Sequence, residues 1–293
     1  MIWVLLASLS YFLTAIVQVV DKYIIDKKVR SPLTLAFYVG VLSSFSFFFW
    51  FFDFSLISPW LFSITFLAGL FFFLAVFFFS RSLLRGSVSR VASIVGGISP
   101  IFVLVLSYLF FDEALPALWM IAFGFLIVGS VFLAVGKGFR LKMYSVLAAL
   151  FFAIHYFLSK WVYIETTFLN GFAWIRVGVV FASLLVLLFP VSRRKLRSGS
   201  LHMKKRVFWV FVSNKGASAG ASLLLNYSIS IGSVVIINAL QGIQYASVFL
   251  LALIFSLFWP GIISESYSFR AMFQKILGIM FVSLGVVLLF LFR

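Results

Sequence analysis

The chain has 293 residues, of which 64% are hydrophobic and 10% are charged, and its mean hydropathy is +1.21. A soluble domain carries about 25% charged residues, so this composition excludes an ordinary water-soluble fold. The absence of cysteine excludes disulfide bonds and thiolate metal sites.

Ten apolar stretches follow one another along the chain with little sequence between them. Each approaches the ~20 residues that a transmembrane helix needs. We therefore predict an all-α integral membrane protein with ten transmembrane helices, at about 2–20, 33–52, 59–80, 88–111, 115–136, 143–163, 170–190, 207–231, 233–259 and 272–292. The first segment lacks a basic start and an A-x-A site, so we do not expect a cleaved signal peptide.

The net charge of +16 is concentrated in alternate loops. Most lysines and arginines follow segments one, three, five and seven or precede segment ten, whereas Asp53, Asp112, Glu113 and Glu165 occupy the other loops. The positive-inside rule then predicts that both termini lie outside. We expect the basic loops to set this topology and to touch membrane lipids, and we expect no nucleic acid as a partner.

Two short motifs recur at nearly constant spacing. SLLRGSV from Ser82 returns as SISIGSV from Ser228, and Lys22 returns as Lys160. The repeat predicts two five-helix units, 1–136 and 143–293. Because five is odd, the second unit must be inverted relative to the first. Such duplication is typical of transporters with a central substrate site.

The stretch from Arg90 to Val135 carries a family resemblance. It reads RVASIVGGISPIFVLVLSYLFFDEALPALWMIAFGFLIVGSVFLAV, with small residues, a proline at Pro100, an aliphatic run and Glu113 at the helix end. This pattern resembles the EamA-type, ten-helix members of the drug/metabolite transporter superfamily. The resemblance implies a transporter without naming a substrate. We interpret Pro100 as a gating element or a plain structural kink.

Polar residues inside the segments concentrate in the second repeat. Segment eight places a lysine, two serines and an asparagine at i, i+3, i+7 and i+11, which lie on one helical face. Segment nine carries a similar amide-rich stripe. Polar groups in a bilayer tend to face a cavity, so we predict a substrate cavity lined by His155, Arg176, Asn214, Lys215, Ser218, Ser222, Asn226, Asn238, Gln241, Gln244 and Tyr245.

These cavity residues have structural alternatives. The amides and His155 are also suited to interhelical hydrogen bonds, and Arg176 to snorkelling towards the interface. Tyr11, Thr14 and Gln18 form a milder polar stripe on segment one. The small residues of segment eight, Gly216, Ala217, Gly220 and Ala221, predict close helix packing.

The predicted cavity contains Lys215, Arg176 and His155 but no central acid, since Asp21 falls at the end of segment one. A basic, amide-lined cavity suits substrates with a carboxylate or phosphate, such as amino acids, organic anions or sugar phosphates. The leading hypothesis is a secondary transporter or facilitator for such metabolites, working by alternating access, in the plasma (inner) membrane. Coupling to a proton or an exchanged substrate, and the oligomeric state, stay open.

Two other functions compete with this hypothesis. One is a flippase, or a flippase-partner subunit, for a lipid-linked substrate. The other is an intramembrane enzyme, which would need clustered acid–base or metal-binding residues. With two histidines, seven scattered acids and no G-x-x-x-x-G-K-[ST] loop, we expect no catalysis, no metal, no cofactor and no ATP site.

Overall fold

The computed structural model describes residues 2–27, 31–111, 117–134, 139–200, 205–258 and 269–291. In these ranges the chain forms helices joined by short connections, with no strand. The α-helices, in chain order, are α1 Ile2–Lys27, α2 Pro32–Leu42, α3 Pro59–Leu83, α4 Val88–Phe111, α5 Ala117–Ala134, α6 Phe139–Glu165, α7 Phe168–Leu185, α8 Pro190–Ser200, α9 Lys205–Ile231, α10 Val234–Ala239, α11 Gly242–Phe258 and α12 Phe269–Leu291.

Within the described part of the chain, seven segments are long and apolar enough to cross a membrane: Ile2–Ile25, Pro32–Phe51, Pro59–Leu83, Val88–Phe111, Met143–Glu165, Phe168–Leu188 and Val234–Phe258. Shorter apolar stretches lie in α5 and α12, at Met120–Gly129 and Ile276–Gly285. The 27-residue helix α9 is outside both groups because Asn214, Lys215 and several serines interrupt its apolar run. The protein is therefore an integral, multi-pass, all-α membrane protein.

Several boundaries differ from the sequence prediction. Helix α1 runs to Lys27 rather than to residue 20, so Asp21 lies inside it. The basic stretch expected to be a connection contains α8, which Pro190 begins; proline suits a first helical position because its missing N–H would be unpaired there. The ends of segments five and nine, and Glu113 with them, fall partly or wholly outside the described residues.

The membrane segment predicted at 233–259 is present as Val234–Phe258, but it is interrupted at Leu240 and Gln241, which separate α10 from α11. The N–H of Gln241 bonds the carbonyl of Asn238 at 3.1 Å, a tight i→i+3 contact, which leaves the Ile237 carbonyl without its regular helical donor. The Tyr11 hydroxyl donates to that carbonyl at 2.9 Å. By contrast, α4 continues through Pro100 as one helix.

The second membrane segment changes its winding halfway. After α2, residues Ser43–Phe51 form a 3₁₀ helix of nine residues, although runs longer than three or four residues are uncommon. The hydroxyls of Ser43 and Ser44 donate to the carbonyls of Val39 and Val41 at 2.8 and 2.7 Å. Such back-bonding competes with the helical ladder and bends a helix, so these two serines stand where the winding changes.

The loop after this 3₁₀ helix is tied to the start of α7. The Asn170 amide donates to the Ser55 carbonyl at 3.1 Å and to its hydroxyl at 2.7 Å, and the Trp174 indole donates to the same carbonyl at 3.2 Å. Thr167 adds a hydrogen bond to Asp53. These bonds hold the 3₁₀ end of the second segment against α7.

Helices α3 and α7 approach closely through glycine. A Cβ atom at Gly69 would lie 2.3 Å from the Ile175 carbonyl oxygen, and one at Gly178 would lie 2.4 Å from the Phe66 carbonyl oxygen. Backbone therefore meets backbone at this crossing, as expected for small residues at membrane helix interfaces.

The small residues of α9 do not pack as predicted. Gly216, Ala217 and Gly220 are exposed, and an added Cβ at either glycine would meet no atom within 4 Å. Only Ala221 faces a neighbour: it is buried, and its carbonyl accepts the Ser10 hydroxyl at 2.6 Å. The prediction of close packing is wrong for the other three because α1 covers the Ala221 side of α9.

This difference yields a matched pair of variants. We expect Gly178→Ala to lower the free energy of unfolding by about 1–3 kcal/mol, since the new methyl group must displace backbone. Gly216→Ala should raise it by up to about 1 kcal/mol, because alanine favours helix and meets open space. Unfolding of the detergent-solubilised protein by denaturant measures both values; equal effects would contradict the α3–α7 crossing.

Candidate functional site

Two connected cavities lie between the helices. The Arg176 cavity, about 180 Å³, is lined by the second membrane segment, α3, α7 and α9. The glutamine cavity, about 130 Å³, is lined mainly by α1, α3, α6, α9 and the α10–α11 break. Both include the same five residues, Val39, Phe72, Lys215, Ser218 and Ser222, so they form two parts of one passage.

The structure brings most of the predicted cavity residues together. Those that line the glutamine cavity are His155, Lys215, Ser218, Ser222, Asn226, Gln241 and Gln244. Arg176 lines the other cavity. The polar stripe of segment eight thus faces a single passage. Tyr11, Thr14 and Gln18 of α1 also line it.

Asn214, Asn238, Tyr245 and Pro100 are not among the lining residues of either cavity. The Asn238 amide donates to the Val234 carbonyl of its own helix at 2.9 Å. Tyr245 occupies the space above Gly96, where an added Cβ would lie 1.0 Å from its hydroxyl oxygen. Pro100 is buried within α4. Asn214, Asn238 and Tyr245 thus lie outside the two cavity linings in which the sequence analysis expected them, and Pro100, expected as a gating element or a kink, lies within a continuous helix.

Lys215 has an anion that the sequence analysis placed elsewhere. Its ammonium group lies 2.7 and 2.8 Å from the two Asp21 carboxylate oxygens, and the Asn214 amide donates to the same carboxylate at 2.8 Å. The expectation of a cavity without an acid is therefore wrong, because α1 extends past residue 20. Asp21 continues the spacing of Tyr11, Thr14 and Gln18, and this periodicity was the signal that could have found it.

Arg176 is buried, with 4% of its surface exposed. The guanidinium carbon lies 4.7 Å from the Phe72 ring centre and 4.5 Å from that of Phe172, distances typical of cation–π contact. One nitrogen donates to the Ser222 hydroxyl at 2.6 Å. Among the described residues, no carboxylate lies within ion-pair distance of it. The passage therefore carries one cation without a matching charge.

Hydrogen bonds continue from Ser222 across the helices. Its carbonyl accepts the Asn226 amide at 2.9 Å, and the Asn226 oxygen accepts the Tyr163 hydroxyl at 3.0 Å. His155 Nδ1 lies 3.0 Å from the Ala68 carbonyl oxygen. Because a carbonyl only accepts, this nitrogen carries a proton. Asn226 and His155 thus join helices as well as lining the passage.

Three glutamines, Gln18, Gln241 and Gln244, line the other end of the passage. Gln241 and Gln244 are 5% and 2% exposed. The side-chain oxygens of Gln18 and Gln241, and Nε2 of His155, are buried without a hydrogen-bond partner. Within the described ranges, no group of three or more His, Asp or Glu side chains is placed to hold a metal ion. The arrangement can bind an anion at one end and polar, uncharged groups at the other.

The Asp21–Lys215 ion pair should contribute to the free energy of unfolding. Removing one partner leaves a buried charge alone, so Asp21→Leu and Lys215→Met should each cost about 3–5 kcal/mol of unfolding free energy. The double variant should cost less than the sum, with a coupling of about 1–3 kcal/mol. Denaturant unfolding of the four proteins measures the coupling, and strictly additive effects would contradict the pair.

Comparison with known proteins agrees with this architecture. One solved structure, whose title reads only "Crystal structure of protein", is 14% identical and covers 98% of this chain and 96% of its own, with a TM-score of 0.67; this similarity concerns the fold alone. No curated protein matches the chain. The family model described as "EamA-like transporter family" matches residues 1–135. By this match the first part of the chain is similar to the EamA-like transporter family, in keeping with its resemblance to the drug/metabolite transporter superfamily.

Proposed function

We propose that the protein is a secondary transporter or facilitator that moves small anionic metabolites across the plasma (inner) membrane. The observation that carries the proposal is the buried Arg176 guanidinium in a cavity with no carboxylate beside it among the described residues. Burying an unpaired cation is costly. A substrate carboxylate or phosphate removes that cost, and the planar guanidinium suits both groups by paired hydrogen bonds.

The structure narrows the positive charge of the passage to one residue, Arg176, and this charge favours an anionic substrate. Lys215 is neutralised by Asp21 at 2.7 Å, so it adds no net charge. Arg176 alone sets the sign. Its Ser222 contact uses one donor, and the guanidinium retains others for a ligand.

A repeated contact supports the two inverted halves, 1–136 and 143–293. Lys22 of α1 donates to the Leu83 carbonyl at the end of α3, at 2.7 Å. Lys160 of α6 donates to the Ile229 carbonyl at the end of α9, at 3.1 Å. Leu83 and Ile229 occupy the same position in the repeated motif. Both lysines complement the negative end of a helix, which is what a duplicated unit would retain.

The helix pairs support the same arrangement. Helix α6 packs on α3 and α4, and its counterpart α1 packs on α9 and α11. If the two halves are exchanged, the contacts of α6 with α3 and α4 become the contacts of α1 with α9 and α11. In the proposed repeat, α9 corresponds to α3 and α2 corresponds to α7. Helices α3 and α7 are in close contact at Gly69 and Gly178, whereas the Arg176 cavity lies between α2 and α9. A closed crossing on one side and a cavity on the other favours alternating access.

Transport by reconstituted protein tests the proposal. We expect proteoliposomes to take up labelled pyruvate, glycerate or glycerol 3-phosphate, and Arg176→Gln to lower kcat/KM at least about tenfold, because one charge-assisted contact is lost. Arg81→Gln is the matched control: Arg81 also lies over an aromatic ring, Tyr144 at 4.8 Å, but it is not among the cavity-lining residues.

Two results would overturn the anion transporter. Uptake of the lipophilic cation methyltriphenylphosphonium, driven by a proton gradient and unaffected by Arg176→Gln, would point to drug export. Transfer of a lipid-linked substrate between leaflets, without uptake of soluble anions, would point to a flippase.

The topology has its own test because the chain contains no cysteine. Single cysteines at Leu56, which is 82% exposed, and at the exposed Arg194 can be labelled with an impermeant maleimide. We expect Leu56→Cys to react in intact cells and Arg194→Cys only after permeabilisation, as the charge bias predicts. The reverse pattern would place the termini inside.

A further inference from the structure

We propose that the glutamine cavity binds an uncharged, hydroxyl-bearing part of the substrate, so that the transported anion is a hydroxylated one. The proposal rests on the proposed function, because the anionic end of the same molecule would lie at Arg176. The binding residues at the hydroxyl end are Gln18, Gln241 and Gln244.

The first argument is the unsatisfied state of these amides. Most buried polar side-chain atoms in proteins have a hydrogen-bond partner, yet the buried oxygens of Gln18 and Gln241 have none. Two other buried amides have partners: Asn170 bonds Ser55, and Asn226 bonds Ser222 and Tyr163. Asn238 also has an unpartnered oxygen but lines neither cavity. The unpartnered glutamines instead come from separate repeats and meet at one cavity, as residues that await a ligand would.

The second argument is chemical. An amide is uncharged and both donates and accepts, and a hydroxyl group does the same. A buried ammonium group is stabilised most strongly by an anion. Among the described residues, the acid that lines the glutamine cavity is Asp21, which already bonds Lys215 and Asn214. The site therefore favours hydroxyl groups over the α-ammonium group of an amino acid.

The third argument is the placement of Gln241. It lies in the turn between α10 and α11, and Tyr11 fixes the neighbouring backbone through the Ile237 carbonyl at 2.9 Å. An irregular point in a membrane helix is tolerated where it is buried in protein or lines a cavity. The shared residues Phe72 and Ser222 connect this end to the Arg176 cavity, so one small molecule can reach both ends.

Matched ligands test the proposal. Binding to the purified, full-length protein would be measured by calorimetry for glycerate, propionate and alanine, which share a three-carbon carboxylate. Glycerol 3-phosphate and propyl phosphate repeat the comparison with the other anion. We expect each hydroxylated ligand to bind about tenfold tighter than its deoxy analogue, and alanine no tighter than propionate.

Variants locate the preference. Gln241→Met and Gln18→Met keep side-chain length and remove the amide, so each should reduce the hydroxyl preference several-fold while propionate binding is unchanged. Asn238→Leu is the control, since Asn238 also has a buried unpartnered oxygen but is not among the lining residues. It should leave the preference intact.

The failures are distinguishable. The hydroxyl site would be overturned by equal binding of glycerate and propionate, by binding of alanine tighter than that of propionate, or by loss of the hydroxyl preference in Asn238→Leu as well. The transporter proposal would stand in each case if the affinity for anions still depends on Arg176. Absence of binding by every carboxylate and phosphate would overturn both proposals.

Discussion

The ion pair of Lys215 with Asp21 is the interaction on which the passage depends. Each charge is expensive inside a membrane protein unless the other is present, so α1 and α9 must meet in the register that brings them together. Asn214 donates to the same carboxylate, which fixes the pair further. Because the pair is neutral as a whole, Arg176 is the unpaired charge of the passage among the described residues, and polar side chains of both helices line that passage.

In the proposed duplication, the two halves share framework contacts and differ in the residues of their interior. Lys22 of α1 bonds a carbonyl at the end of α3, and Lys160 of α6 bonds the equivalent carbonyl at the end of α9. At the positions that line the passage, however, the copies differ: Gly69 corresponds to Lys215, and Tyr38 corresponds to Arg176. The first half thus has a glycine at a close helix crossing where the second half has a charged residue. On the proposed duplication, equivalent helix contacts surround residues that differ between the halves.

Sequence patterns predicted what hydropathy and periodicity control. The apolar segments and the Lys215, Ser218, Ser222 and Asn226 stripe required only residue type and spacing. Features that depend on tertiary contacts were missed. The break at Gln241 is stabilised by the Tyr11 hydroxyl of α1, and the sequence around Gln241 does not indicate that this donor is present. The packing proposed for the small residues of α9 failed because a GxxxG-like pattern does not specify which neighbour is present.

The 3₁₀ helix at Ser43–Phe51 makes the second membrane segment longer than an α-helix of the same residues would be. Nine residues span about 18 Å at a 3₁₀ rise and about 13.5 Å at an α rise. The loop beyond them is fastened to α7 through Asn170 and Ser55, and α7 carries Arg176. Rewinding this stretch as α-helix would shorten it by about 4.5 Å. The hydrogen bonds between Ser55 and Asn170 therefore link the winding of the second segment to the helix that carries Arg176.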